Sequence, residues 1–175
     1  MTRLILCALA GLLLWSAAPA LAQPLTDAQI AAIVVTANQV DVDAGRVAAA
    51  RGSSEAVQTF ANLMVSDHTA VNTSATALAS KLRLTPADSP TSLALKEGGA
   101  KNVAALEALE GKAFDRAYVT HEVTYHQTVL DALDKQLVPS AANAELKALL
   151  VKVRPAFVAH LEHAKRLAAG LGASK

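Results

Sequence analysis

The sequence predicts an all-α protein, a ferritin-like four-helix bundle built from two helical hairpins with a long crossover between them. Apolar residues recur at helical spacing in four long segments, and no sustained alternation typical of strands occurs. Two of the links between these segments are short, while the link over residues 85–110 is long. Short links make antiparallel hairpins, and a long link lets the second and third helices run parallel. A plain up-and-down bundle with a fifth helix is the alternative.

Residues 1–22 have the pattern of a secretory signal peptide. Arg3 gives a positive start before the apolar run LILCALAGLLLW, and Ala20-Leu21-Ala22 is a small-x-small cleavage signal before Gln23. The run is short for a membrane span. We therefore expect cleavage, export to the periplasm or cell envelope, and a single helical domain over 23–175 with no integral membrane span. Retention as an anchor and peripheral association with the envelope remain open.

Composition excludes several classes of function. Cys7 is the only cysteine and lies in the signal segment, so thiol nucleophiles, zinc–thiolate sites, iron–sulfur clusters and CxxCH haem attachment are not expected. The chain has 16 Lys and Arg against 15 Asp and Glu, with 3% aromatic residues and no basic run. Nucleic acid is therefore not an expected partner.

The first two long helices have clear boundary signals. Thr26 is an N-cap whose capping box is completed by Gln29, and this helix should run to Arg51. Gly52 is a stop signal, and the serines that follow it can cap a second helix ending at about Leu84.

The second half of the chain holds two more long helices. The third should run from Gly111 to Val138, where Pro139-Ser140 ends it, and the fourth from 141 to 169, with a bend at Pro155. The crossover begins with the turn sequence TPADSP and should then form one or two short helices interrupted at Gly98-Gly99.

Some polar residues fall on the apolar stripes of these helices. A buried carboxylate or imidazole requires a partner, because desolvation of a charge is costly. The inward-facing polar residues are Asp41, His68, Asp115, Glu122, His126 and His160. By the same geometry His121 lies on a flank, His163 is half exposed, and Asp67 and Glu162 are solvated.

The inward histidines define a candidate metal site. If the second and third helices are parallel, His68 and His126 lie at nearly the same height, with Glu122 one turn from His126. Imidazole and carboxylate ligands suit a divalent transition metal such as iron, zinc, manganese or copper, with His160 and Asp41 as further ligands. The Glu-x-x-His motif of di-iron bundles is absent. The alternative is a hydrogen-bonded network that fixes helix register.

The stretches FANLMVSDH at 60–68 and FDRAYVTHEVTYH at 114–126 carry a family resemblance, together with Asn38, Asp41 and Gly45. The chain resembles domain-of-unknown-function family 4142 over roughly 26–169. The resemblance implies export, a predicted ferritin-like bundle, and recurrent histidines at the positions of His68, His126 and His160. It implies no established activity. Many members carry Glu where this chain has Asp41, and Met where it has Glu122.

No complete catalytic motif occurs in the sequence: a nucleophile elbow, a phosphate-binding loop and a paired-carboxylate hydrolase motif are all absent. This absence favours a non-enzymatic helical protein of the cell envelope. The alternative function is metal binding or metal handling by the inward-facing residues.

Overall fold

A computed structural model describes residues 24–173, and within that range every regular element is helical. The predicted all-α class is confirmed, whereas the predicted signal peptide lies outside the described residues. The helices are α1 (Asp27–Arg51), α2 (Glu55–Lys81), α3 (Pro90–Glu107), α4 (Gly111–Ala132), α5 (Val138–Ser140) and α6 (Ala144–Ala173), with a π-helical segment (Leu133–Leu137) between α4 and α5. Across residues 24–173, no helix has the length and apolar character needed to span a bilayer.

Side-chain caps fix where the helices begin. Thr26 caps α1 and forms the expected capping box with Gln29, since each residue's side chain accepts a hydrogen bond from the other's backbone N–H. Ser54 caps α2, and Ser89 caps α3 directly before Pro90. These caps satisfy N–H groups that have no partner within a helix.

Contacts between rings show how α2 and α4 are oriented. The rings of Phe60 and Tyr118 lie 6.1 Å apart, and those of His68 and His126 lie 5.5 Å apart. Sequence numbers therefore increase in the same direction along both helices, which places the two histidines at one level of the bundle.

The last helix returns in the opposite direction. Arg154 of α6 pairs with Asp134 just beyond α4 at 2.7 Å, while His160 lies beside His126 with ring centroids 5.5 Å apart. Residues later in α6 thus face residues earlier in α4, so the two helices are antiparallel.

Besides a small cluster of Leu130, Phe157 and Leu161, two large apolar clusters fill the interior. One contains Phe60, Met64, Phe114 and Tyr118, and the other contains Ile30, Ile33, Leu133, Leu137, Leu146 and Leu150. Along α1, α2 and α6, the buried polar residues come between residues of one large cluster and residues of the other. Along α4 they follow residues of the first cluster and precede the π-helical residues of the second. The middle of the bundle is therefore where the polar side chains collect.

The crossover differs from its prediction, because α3 is one helix of 18 residues that continues through Gly98 and Gly99. It packs along α1. A Cβ built on Gly99 would lie 2.6 Å from Cγ2 of Val40, so the absence of a side chain lets the two backbones approach closely. The predicted interruption rests on the low helix propensity of glycine, and packing against α1 offsets that low propensity.

The two glycines form a matched pair for a stability test. Gly99→Ala should destabilise the protein, because overpacking costs about 1–3 kcal/mol and exceeds the gain of up to about 1 kcal/mol in helix propensity. Gly98→Ala should stabilise it by about 0.5–1 kcal/mol, since nothing lies within 4 Å of the added Cβ. Urea unfolding of both variants measures the difference, and equal shifts would contradict close packing of α3 on α1.

The ends of the other helices also differ from their predictions. The third predicted helix, to Val138, is α-helical only to Ala132 and continues as the π-helical segment, while Pro139 lies inside α5. The fourth begins at Ala144, because the Asn143 side chain accepts hydrogen bonds from the N–H groups of Glu145 (2.9 Å) and Leu146 (3.1 Å). α2 ends at Lys81 rather than at 84, and α6 continues through Pro155 as far as Ala173.

Candidate metal centre

A group of buried polar side chains lies at the middle of the bundle, with contributions from α1, α2, α4 and α6. We call it the polar cluster. Its members are Asp41, His68, Glu122, His126 and His160. None is more than 5% exposed. The structure therefore brings together all five residues that the sequence offers as metal ligands.

A hydrogen bond to Asn38 fixes the orientation of the His68 imidazole. Nδ1 of His68 lies 2.8 Å from Oδ1 of Asn38, and Nδ2 of Asn38 donates to the backbone carbonyl of Val34 at 2.7 Å. The amide oxygen of Asn38 faces the imidazole, because the NH₂ group of the same amide donates to the Val34 carbonyl. Nδ1 of His68 therefore carries the proton and donates it, which leaves a lone pair on Nε2.

The other two histidines are held in the same manner. Nδ1 of His126 donates to the backbone carbonyl of Glu122 at 3.0 Å, and Nε2 of His160 donates to Oδ2 of Asp67 at 2.9 Å. Both acceptors are oxygen atoms, so each hydrogen bond fixes the position of the ring proton. The remaining nitrogens, Nε2 of His126 and Nδ1 of His160, carry lone pairs.

These lone-pair nitrogens are buried and converge. Nε2 of His68, Nε2 of His126 and Nδ1 of His160 have no hydrogen-bond partner among residues 24–173. The three histidines offer ligand atoms that all lie within 4.8 Å of one another. One ring nitrogen donating to an outer oxygen while the other faces inward is the arrangement found in metal-binding histidines.

Two carboxyl groups complete the cluster. Asp41 and Glu122 offer oxygens within 4.8 Å of each other and of a nitrogen of His126, close enough for the two carboxyl groups to share a proton, and the four oxygens have no other hydrogen-bond partner in the described part of the chain. Oδ2 of Asp41 lies 3.1 Å from Nε2 of His68 and 3.5 Å from Nε2 of His126. Each of those nitrogens carries a lone pair, so a proton or a cation is needed between them and the carboxylate.

Burial determines the protonation of the cluster. Desolvation raises the pKa of Asp41 to about 8, and desolvation together with the charge of Asp41 raises the pKa of Glu122 well above its usual range. Burial and the neighbouring histidines lower the pKa of His68, and they lower the pKa of His126 to about 4. In the metal-free cluster the imidazoles of His68 and His126 are therefore neutral at pH 7, and Asp41 holds a proton, which a cation would displace.

Other inward or nearby residues have different roles. Asp115 is buried as predicted, but it accepts hydrogen bonds from the backbone N–H (2.7 Å) and hydroxyl (2.8 Å) of Ser53, and so ties the α1–α2 turn to α4. His121 stacks on Tyr125 with ring centroids 5.5 Å apart, and His163 packs edge-on against Phe60. None of these belongs to the polar cluster.

Two outer partners were not assigned from the sequence. Asp67 is 42% exposed, in line with its predicted contact with solvent, and it also accepts a hydrogen bond from His160, because α6 brings that imidazole to it. Asn38 was noted only as part of the family pattern. Its position three residues before Asp41 on the same helical stripe was the available signal.

Comparison with known proteins places the chain in a family. The model of the family described as Domain of unknown function (DUF4142) matches residues 15–167. The chain belongs to the DUF4142 family. The resemblance seen in the sequence is thereby confirmed, whereas no curated protein and no solved structure matches the chain. For this DUF4142 protein, function must therefore be argued from the chemistry of the polar cluster.

Proposed function

We propose that this DUF4142 protein is an exported, ferritin-like bundle of the periplasm or cell envelope that binds a divalent transition metal ion at the polar cluster. One observation carries the proposal. Each of the three histidines donates one ring N–H to an oxygen and keeps its other ring nitrogen buried without a hydrogen-bond partner, and the three residues offer ligand atoms within 4.8 Å of one another. Two buried carboxyl groups lie beside them.

A purely structural network explains these atoms less well than a metal ion does. In a network, buried polar atoms are paired with one another, and each unpaired one costs about 1–3 kcal/mol. Among residues 24–173, no N–H or O–H group from outside the polar cluster donates to its three inward nitrogens, and its four carboxyl oxygens have no partner beyond the Asp41–Glu122 pair. A proton on Asp41 can satisfy one of the neighbouring lone pairs at a time, whereas a single cation would satisfy lone pairs on several of these groups at once.

The donor atoms indicate the class of metal. Three imidazoles and two carboxylates without sulfur suit iron(II), manganese(II), zinc(II) or copper(II). His68, His126 and His160 would hold the ion, with Asp41 and Glu122 supplying negative charge. The ion would supply a Lewis-acidic or redox-active centre, and we assign binding rather than catalysis to this chain.

The ferritin-like assignment rests on topology. α2 and α4 run parallel, α6 is antiparallel to α4, and α3 carries the chain back along α1. Ligand candidates come from each of the four long helices that meet at the cluster, as in metal sites of such bundles. Export rests on the signal-peptide pattern of residues 1–22.

Metal analysis tests the proposed function. Protein purified from its native compartment should contain a stoichiometric transition metal by elemental analysis, and the chelated protein should bind one of the four metals above in calorimetric titrations, with iron(II) handled without oxygen. His121→Ala, which alters an imidazole outside the cluster, should leave binding unchanged. Failure of the wild-type protein to retain or bind any of these metals would overturn the proposal.

The outer partner of His68 provides a second prediction. Asn38→Leu removes the acceptor for Nδ1 of His68 at similar side-chain volume, so the imidazole loses its fixed tautomer and orientation. Loss of such an outer partner typically weakens metal binding by about 10–100-fold. Asn62→Leu, the same change at an exposed position on α2, is the control. Equal affinities of the two variants in calorimetry would contradict an orienting role for Asn38.

A further inference from the structure

An apolar cavity of about 100 Å³ adjoins the polar cluster, lined by residues of the four long helices, of α3 and of the π-helical segment. Aliphatic and aromatic side chains form most of its wall, among them Ile33, Leu133, Leu137, Leu150, Val153 and Phe157. Few polar groups reach it. The cavity therefore offers nothing to stabilise a charged or strongly hydrated molecule.

The cavity and the polar cluster share a wall. The ring of Phe157 lines the cavity, and its centroid lies 5.0 Å from that of His68 and 6.1 Å from that of His126. Asn38, which holds Nδ1 of His68, also lines the cavity. An occupant would thus be separated from the imidazoles by the thickness of one side chain.

The backbone around the cavity is unusual. Leu133 and Leu137 are the first and last residues of the π-helical segment, and both are buried in the cavity wall. π-Helical turns are rare and occur often at functional sites, and an unfilled cavity reduces stability. A packing defect alone would not account for a cavity that coincides with both the π-helical segment and the polar cluster.

The size and lining limit the ligand. Pockets for drug-sized molecules measure roughly 300–1,000 Å³, whereas an apolar cavity of roughly 150 Å³ stays dry and accepts benzene or xenon. We propose that this cavity binds dioxygen beside the metal-binding cluster. Dioxygen is an apolar molecule small enough for this cavity, and it reacts with reduced transition metals. This role rests on the proposed function, but binding to the cavity does not require the metal.

Dioxygen can itself be the probe, because it is paramagnetic. In methyl NMR of the chelated protein under oxygen pressure, methyl groups of Ile33, Leu133 and Leu150 should relax several-fold faster than the exposed methyl groups of Leu93 and Val151. The enhancement in the cavity should saturate with pressure, whereas that at the surface should rise linearly. Cavity enhancements equal to or smaller than those at the surface would overturn the proposal.

A variant that fills the cavity separates this inference from metal binding. Ala132→Leu adds a branched side chain at the cavity wall and should abolish the enhancement at Ile33 and Leu150, whereas Ala105→Leu at an exposed site on α3 should not. Xenon shifts in the same NMR spectra should follow the same pattern. An enhancement that survives in folded Ala132→Leu protein would overturn the cavity assignment. Metal titration of the same samples reports separately on the proposed function.

Discussion

Replacing both His68 and His126 with alanine should eliminate metal binding at the polar cluster. The two residues contribute inward nitrogens from adjacent parallel helices, and Oδ2 of Asp41 lies within 3.5 Å of both. His126 also belongs to both groups of ligand atoms, the one with His68 and His160 and the one with Asp41 and Glu122. No three-ligand combination recorded among the described residues survives the double substitution.

The expected loss exceeds that of any change outside the ligand set. Removal of an outer hydrogen-bond partner weakens binding by about 10–100-fold, whereas the double variant removes direct donors. We therefore expect affinity to fall by more than about 100-fold. Calorimetric titration and the metal content of the purified protein both measure this loss.

A matched double variant distinguishes loss of ligands from loss of structure. His121→Ala with His163→Ala removes the same number of imidazoles from α4 and α6, but neither residue belongs to the polar cluster. It should bind metal like the wild type, and circular dichroism should show both variants folded. Unchanged stoichiometry and affinity in the His68/His126 variant would end the metal-site proposal.

Helical periodicity was sufficient to place the ligand candidates. In an α-helix, residues separated by seven share a face, so Glu122 with Val129, and His126 with Leu133, could be assigned to the interior from the sequence. The structure finds both polar residues fully buried. A face assignment requires only local geometry, which the sequence contains.

Outer partners and close packing could not be obtained in that way. The hydrogen bond from His160 to Asp67 joins residues on α6 and α2 that are 93 positions apart, and it depends on the distance between those helices. Gly99 likewise reads as a helix breaker, yet it lies where α3 meets Val40 of α1. Both features arise from tertiary contacts that override local propensity.

Metal-free protein should become less stable as the pH rises from 6.5 to 8, whereas metal-saturated protein should remain nearly constant. Burial raises the pKa of Asp41 from 3.8 to about 8, and it also raises that of Glu122. Between these values the folded state holds a proton that the unfolded chain has lost. The stability from protonated Asp41 is therefore complete below pH 3.8 and is lost as the pH rises through about 8.

The histidines act in the opposite direction but over a lower range. The pKa of His126 is lowered from 6.5 to about 4, so its contribution to stability is present above pH 6.5 and is lost as the pH falls toward 4. His68 shifts in the same direction. Above pH 6.5 the imidazoles of His68 and His126 are mostly neutral in both the folded and the unfolded state. The carboxyl groups therefore determine the slope between pH 6.5 and 8.

Metal binding removes the protons that cause this slope. Once the ion has displaced them, the folded and unfolded states bind equal numbers of protons in this range, so the stability of the saturated protein is nearly independent of pH. By the same linkage, metal affinity should increase about tenfold per pH unit for each proton displaced. Calorimetry in buffers with different ionisation enthalpies counts those protons.

Asp41→Asn provides the control, because an amide cannot ionise and has similar volume. The metal-free variant should show a shallower loss of stability between pH 6.5 and 8 in urea unfolding, and its metal affinity should depend less steeply on pH. Equal slopes for metal-free and metal-saturated wild-type protein would mean that the ion does not replace protons on the buried carboxyl groups. In that case the metal would bind at a site other than the polar cluster.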